Sequence, residues 1–146
     1  GEVPTLIHEN KAIGQSMAIM EYLEEIHPVV PLLPENRFLK AKVRQFCENI
    51  NSFMHPLANL KVMQKLEKDH QFTLEQKTQW IQHWHGIGYT SLEKMLEEFS
   101  SNYCFGSEIT AADIFLIPCI FSSKRFQVNM ESFPLCQAIN KKCLEI

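Results

Sequence analysis

No apolar run in this chain is long enough to cross a bilayer, and the longest, Ile114 to Phe121, is broken by Pro118. A helical membrane span is therefore not expected. An excess of one charge is also missing: 14 basic residues against 17 acidic ones leave a net charge of −3. That gives no broad electrostatic reason to expect nucleic acid or an anionic membrane as a partner. The paired cations Lys124-Arg125 and Lys141-Lys142 read as solvated helix faces. The five cysteines, odd in number and widely spaced, include no Cys-x-x-Cys pair, which suits a reducing, cytoplasmic setting. Cys47 and Cys119, among apolar residues at helical spacing, are expected to be small buried thiols. His83 and His85, two apart on a helix, point to different faces, so no metal site is expected.

What is present is globular: 45% hydrophobic and 21% charged over 146 residues, enough for one ordinary core or parts of two. The chain starts at Gly1 rather than Met, which suggests a fragment or a processed form. Val3 to Ile7 and Ala12-Ile13 are short apolar runs around a polar Glu9-Asn10, the pattern of two strands and a tight turn. From Gln15 the period changes, with Ile19, Leu23 and Ile26 at helical spacing and Pro28 beyond the end. Pro28, Pro31 and Pro34 then impose an extended linker. Two strands and one helix are marginal alone. This unit is expected to be the trailing half of a larger α/β domain, or to dock on the helices.

Beyond the linker only helical patterns follow. Leu39, Val43, Phe46, Ile50, Phe53 and Leu57 form one expected continuous stripe; Trp80, Trp84, Ile87, Leu92, Met95 or Leu96, and Phe99 form another. Gly86 and Gly88 are expected where a second helix comes close. Thr110-Ala111-Ala112-Asp113 has the form of a capping box, opening a helix apolar on nearly all sides and hence central. A last helix is expected from about Phe133 or Pro134 to Leu144. The expected fold is mainly α: 1–27 as the β-β-α end of an α/β domain, 28–37 as linker, and 38–146 as an all-helical domain.

Several pieces together carry a resemblance. Val3-Pro4-Thr5-Leu6, Gln15-Ser16-Met17-Ala18-Ile19 and Glu21-Tyr22-Leu23-Glu24-Glu25 are similar to the second half of the thioredoxin-like domain of glutathione transferases. Pro31-Leu32-Leu33-Pro34 resembles that family's linker, and Thr110 to Asp113 its helix-capping box. His55-Pro56-Leu57-Ala58-Asn59-Leu60 and Arg125-Phe126-Gln127-Val128 resemble the zeta class, the maleylacetoacetate isomerases. The likeness covers essentially the whole chain and rests on order and spacing, since each piece alone is weak.

The resemblance implies glutathione as cofactor and the isomerisation of maleylacetoacetate to fumarylacetoacetate, with glutathione as the nucleophile. It implies a cis peptide before Pro4, Val3 pairing its backbone with glutathione, and Gln15 and Ser16 holding the γ-glutamyl carboxylate at a helix start. Without it, Pro4 reads as a turn proline and Ser16 as an ordinary cap. Asn59 joins the implied glutathione site. Arg125 is implied as the clamp for a carboxylate of the small dicarboxylate substrate, with Lys61 as a further point charge or a surface lysine. Ala58 stands where the zeta pattern usually has Gln or Asn, so one hydrogen bond to glutathione is expected to be lost. The thiol-activating Ser-Cys motif is expected before Gly1. A homodimer is implied by family alone. Three functions stay open: a zeta-class isomerase and transferase in incomplete form, a non-catalytic transferase-like interaction module, or a general glutathione-conjugating or dehalogenating transferase that only an assay separates from the isomerase.

Overall fold

The computed structural model describes residues 3–146, and within them the chain runs from a hairpin and one helix into a helical bundle. Strands β1 (Thr5–His8) and β2 (Lys11–Gly14) pair antiparallel with His8 opposite Lys11. Glu9 and Asn10 both take positive φ, 49° and 61°, as a two-residue turn matched to strand twist requires. The Val3-Pro4 peptide is cis. Helix α1 (Ser16–Ile26) follows at once. Of its expected stripe, Leu23 and Ile26 remain partly exposed, and the residue it buries is Met20. With a single hairpin beside it, α1 has one narrow contact rather than a whole sheet to cover.

The linker is held by side chain and backbone together. Glu24 accepts the N–H groups of Leu32 (2.9 Å) and Leu33 (3.1 Å). Leu33 enters the core.

Helix α2 (Arg37–Glu48) is capped by Asn36, whose side chain accepts from the N–H groups of Phe38 and Leu39. The expected unbroken stripe through Leu57 is interrupted. Residues Asn49–Met54 wind as a π-helical turn, α3 is only His55–Leu57, and α4 (Leu60–His70) starts afresh with Asn59 as its cap. The wider turn buries Ile50 and Met54, leaving Phe53 only half-buried.

Helix α5 (Leu74–Phe99) opens on a reciprocal Thr73–Gln76 capping box. Its buried face is Ile81, His85, Gly88, Tyr89, Leu92, Met95 and Leu96, rotated from the expected stripe. Ile87 is exposed, and Trp80 and Trp84 are half-buried. Of the two glycines, only Gly88 meets a close neighbour: a Cβ there would fall 2.4 Å from Met54 Cγ, whereas Gly86 has nothing within 4 Å.

The central helix α6 (Ala111–Arg125) buries Ala111, Ala112, Phe115, Leu116, Cys119 and Ile120. At its start Asp113 accepts from Thr110 N–H (2.9 Å), Thr110 Oγ1 (3.1 Å) and the N–H of Cys104 (2.8 Å). The first helical N–H of α6, that of Ala111, donates back to the linker at Leu32 O (2.9 Å). Helix α7 (Pro134–Cys143) closes the bundle, with Glu93 of α5 accepting the N–H groups of Leu135 (2.6 Å) and Cys136 (3.0 Å). Among the described residues, no helix is long and apolar enough to cross a membrane.

Candidate functional site

Three separated stretches of chain meet around one cleft of about 720 Å³. One wall is the chain edge Val3, Pro4 and Thr5 with Gly14, Gln15 and Ser16. The other is Asn51, His55, Pro56, Ala58, Asn59 and Lys61, joined by Ser122 of α6. Of the residues expected in the site, Val3, Pro4, Gln15, Ser16, Asn59 and Lys61 are thus brought together.

Each wall has a local cause. The first is aimed by Gln15, which precedes α1 with φ 72°, a left-handed value unusual for a residue with a side chain. That turn brings the start of α1 to the cleft, and the Gln15 side chain makes no cap hydrogen bond to it. The first N–H groups of a helix have no intrahelical partners and carry its positive dipole end, so this is a place where a carboxylate is stabilised. Val3, 94% exposed, offers backbone beside it.

The second wall depends on the π turn and on α5 behind it. The indole N–H of Trp80 donates to Leu57 O (2.9 Å), pinning the end of α3 just where Ala58 and Asn59 turn into the cleft. Asn59 spends its side-chain oxygen on the N–H of Lys61 (2.9 Å), which leaves its NH2 as the donor it can offer. His55 is partly desolvated, which lowers its pKa below the ordinary value and favours the neutral ring.

Arg125 does not itself line the cleft. It ends α6 one turn past Ser122, exposed, and the chain leaving it is fixed by Gln82, whose amide donates to Phe126 O (2.9 Å) and Gln127 O (3.1 Å).

Beneath this site lies a buried polar group that the sequence reading missed. His85 Nδ1 lies 2.7 Å from Ser123 Oγ, Tyr89 OH lies 2.8 Å from the same oxygen, and Ser123 donates to Cys119 O (2.9 Å). Among the described residues, no group meets His85 Nε2 with hydrogen-bond geometry. Burial, reinforced by His55, pushes the His85 ring down to about 4 despite an opposing contribution from the Met54 backbone. The thiols are the reverse of activated: burial raises Cys47 to about 12 and Cys119 to about 11, and it also raises Cys104, Cys136 and Cys143.

Asn51, His55 and Ser122 line the cleft but were not expected as site residues. For His55 a signal existed, a histidine followed by proline where an apolar stripe ends. For Asn51 and Ser122 there was none, because a π turn and the far end of α6 bring them in.

Comparison with known proteins follows the same outline. No family model matches the chain. A curated relative from Drosophila melanogaster, probable maleylacetoacetate isomerase 2, is 38% identical over 141 residues, 97% of this chain and 60% of that protein. The chain thus spans less than two thirds of the curated relatives it matches. The crystal structure of a glutathione S-transferase from Legionella pneumophila superposes with a TM-score of 0.96 at 39% identity, covering 99% of this chain and 76% of that one. A holo maleyl pyruvate isomerase, described as a bacterial zeta-class glutathione S-transferase, gives a TM-score of 0.96 at 31% identity, covering 99% and 69%. Related maleylacetoacetate isomerases, 26 to 28% identical, have been solved with glutathione, one also with malonate, and one with dicarboxyethyl glutathione and citrate.

Proposed function

The chain belongs to the glutathione transferase family, in its zeta class, and we propose that it forms part of a glutathione-dependent cis–trans isomerase converting maleylacetoacetate to fumarylacetoacetate, with glutathione transfer as a second activity. The observation carrying this reading is the meeting, in one cleft, of exposed backbone at Val3-Pro4-Thr5 and the start of α1 at Gln15-Ser16. A tripeptide with a free carboxylate fits that pair. Val3 would pair with its backbone as an added strand does, and the α1 N–H groups with Ser16 would take the γ-glutamyl carboxylate.

Bound there, glutathione supplies the thiolate nucleophile whose addition lets the substrate double bond rotate. The residues of this chain bind and orient. Asn59 donates its amide hydrogens, and His55 offers a neutral ring rather than a second fixed charge. Lys61, in the cleft lining, supplies positive charge for a substrate carboxylate, and Arg125, one turn of α6 past Ser122 and outside that lining, would bring its planar fork to another by reaching in from the rim. Ala58 lines the cleft without a side-chain hydrogen bond, which lowers glutathione affinity by about 1 kcal/mol. The same reading makes the protein a cytoplasmic homodimer acting in tyrosine and phenylalanine breakdown, divided at residues 28–37 into a glutathione-binding part and a helical part.

The second reading is a non-catalytic transferase-like interaction module.

The test is an isomerase assay on the whole protein, with Arg125→Ala beside the wild type. Arg125→Ala should raise KM for maleylacetoacetate about tenfold or more and leave that for glutathione nearly unchanged. Equal effects on both substrates would remove Arg125 as the clamp; glutathione binding without turnover would favour the second reading.

A further inference from the structure

The two helices whose ends meet the cleft are locked to each other at their opposite ends, through one residue of the linker. Glu24, near the end of α1, accepts Leu32 N–H at 2.9 Å and Leu33 N–H at 3.1 Å. On its other side Leu32 O accepts the first N–H of α6, at Ala111, at 2.9 Å. Leu32 is therefore a backbone bridge between α1 and α6. Gln15 and Ser16 at the front of α1 and Ser122 near the end of α6 line the cleft.

Rigid helices convert a fixed spacing at one end into a fixed spacing at the other. From Ser16 to Glu24 is about 12 Å of helix and from Ala111 to Ser122 about 16 Å, at 1.5 Å per residue. We infer that Glu24 is a positioning residue for the cleft: through Leu32 it sets the separation of the wall that begins α1 from the wall carried by α6. It touches no ligand. The assignment rests on the reading of the cleft as the glutathione site for its effect on affinity, but not for its effect on geometry.

The carboxylate form matters, because two adjacent N–H donors need two acceptor oxygens. Glutamine offers one and turns an NH2 against the other donor. A second tie, Glu21 to Arg44 of α2 at 2.5 Å, is more exposed and runs to α2 rather than to the linker backbone. It provides the control.

The experiment compares the whole wild-type protein with Glu24→Gln, Glu24→Asp and Glu21→Gln. Calorimetry reads glutathione affinity well below the melting temperature, and hydrogen exchange reads the backbone around Ser16 and Ser122. Glu24→Gln should weaken glutathione binding about tenfold and speed exchange at the start of α1 by a similar factor, with kcat at saturation nearly unchanged. Glu24→Asp should fall between, and serves if Glu24→Gln folds poorly. Glu21→Gln should match the wild type. A lower melting temperature with unchanged affinity and unchanged exchange around Ser16 would overturn the inference and leave Glu24 a stabilising residue only. So would equal loosening by Glu21→Gln. If the wild type binds no glutathione, the proposed function fails, and the exchange measurement still decides the role of Glu24.

Discussion

Replacing Gly88 with alanine should weaken the protein, although the same change two residues earlier should strengthen it. Both glycines lie inside α5, where alanine is worth about 1 kcal/mol more than glycine by intrinsic preference. At Gly86 nothing stands within 4 Å of the added methyl, so that gain should be realised nearly in full. At Gly88 the new Cβ would fall 2.4 Å from Met54 Cγ and 2.5 Å from its Sδ, over 1 Å inside ordinary carbon contact. Met54 is fully buried, and the nearest of its atoms is close to the backbone, so it cannot swing clear as a flexible chain end would. Overpacking of this kind costs about 1 to 3 kcal/mol, which exceeds the helix-propensity gain. Net losses of about 1 kcal/mol for Gly88→Ala and gains of about 1 kcal/mol for Gly86→Ala should move the melting temperature in opposite directions, by about 3 °C each. Urea unfolding of both variants, with Gly88→Ala repeated in a Met54→Ala background, checks it. The Gly88 penalty should vanish once Met54 is cut back. If Gly88→Ala stabilises as much as Gly86→Ala, the close approach of the π turn to α5 is wrong, and so is the placement of the cleft wall that depends on it.

His85 should make the fold acid-sensitive. Its ring titrates at about 4 in the folded protein against 6.5 when free, so the unfolded chain binds more protons between those values. The stabilisation should be complete above about pH 6.5 and decline by about 3 kcal/mol as pH falls toward 4. Urea unfolding from pH 7.5 to 4.5 should show a shallower decline in His85→Phe, while parallel declines would refute the assignment. Glu93→Ala, which strips the acceptor from two N–H groups at the start of α7, should cost about 2 to 3 kcal/mol. Faster hydrogen exchange at Leu135 and Cys136 should accompany the loss; unchanged exchange there would show that other groups cap α7.

The hairpin was readable because Glu9-Asn10 is a local signal, and the central helix because Thr110 and Asp113 sit three residues apart. The site was half readable. Val3-Pro4 and Gln15-Ser16 are adjacent pairs whose resemblance to a known family could be recognised, and the structure gathers them with Asn59 and Lys61. Asn51 and Ser122 could not be found from pattern, since apolar periodicity carries no information about a change from α to π winding. The α5 stripe was right at Leu92, Met95 and Leu96 but one step off before them, because Trp80, Trp84 and Ile87 are more hydrophobic than His85 and Tyr89, yet the polar pair is buried through Ser123. Nothing in the sequence marks the roles of Glu24 and Glu93. Their partners are backbone N–H groups on other elements, and no side-chain pattern announces those.

The π turn at Asn49–Met54 also bears on how the chain tolerates changes in its length. A π turn is an α-helix in which a surplus residue is taken up by a wider turn, so the segments on either side keep nearly the orientation they would have without it. Deleting one residue there would return the backbone toward regular α winding and leave His55 and everything up to Asn59 aimed much as before, whereas winding all of Asn49–Met54 as regular α-helix would turn them round the axis by about 100°, away from the cleft. The aim of that wall is thus encoded in a residue count together with a winding. A single in-frame deletion in the turn should be forgiven where the same deletion inside α2 should not.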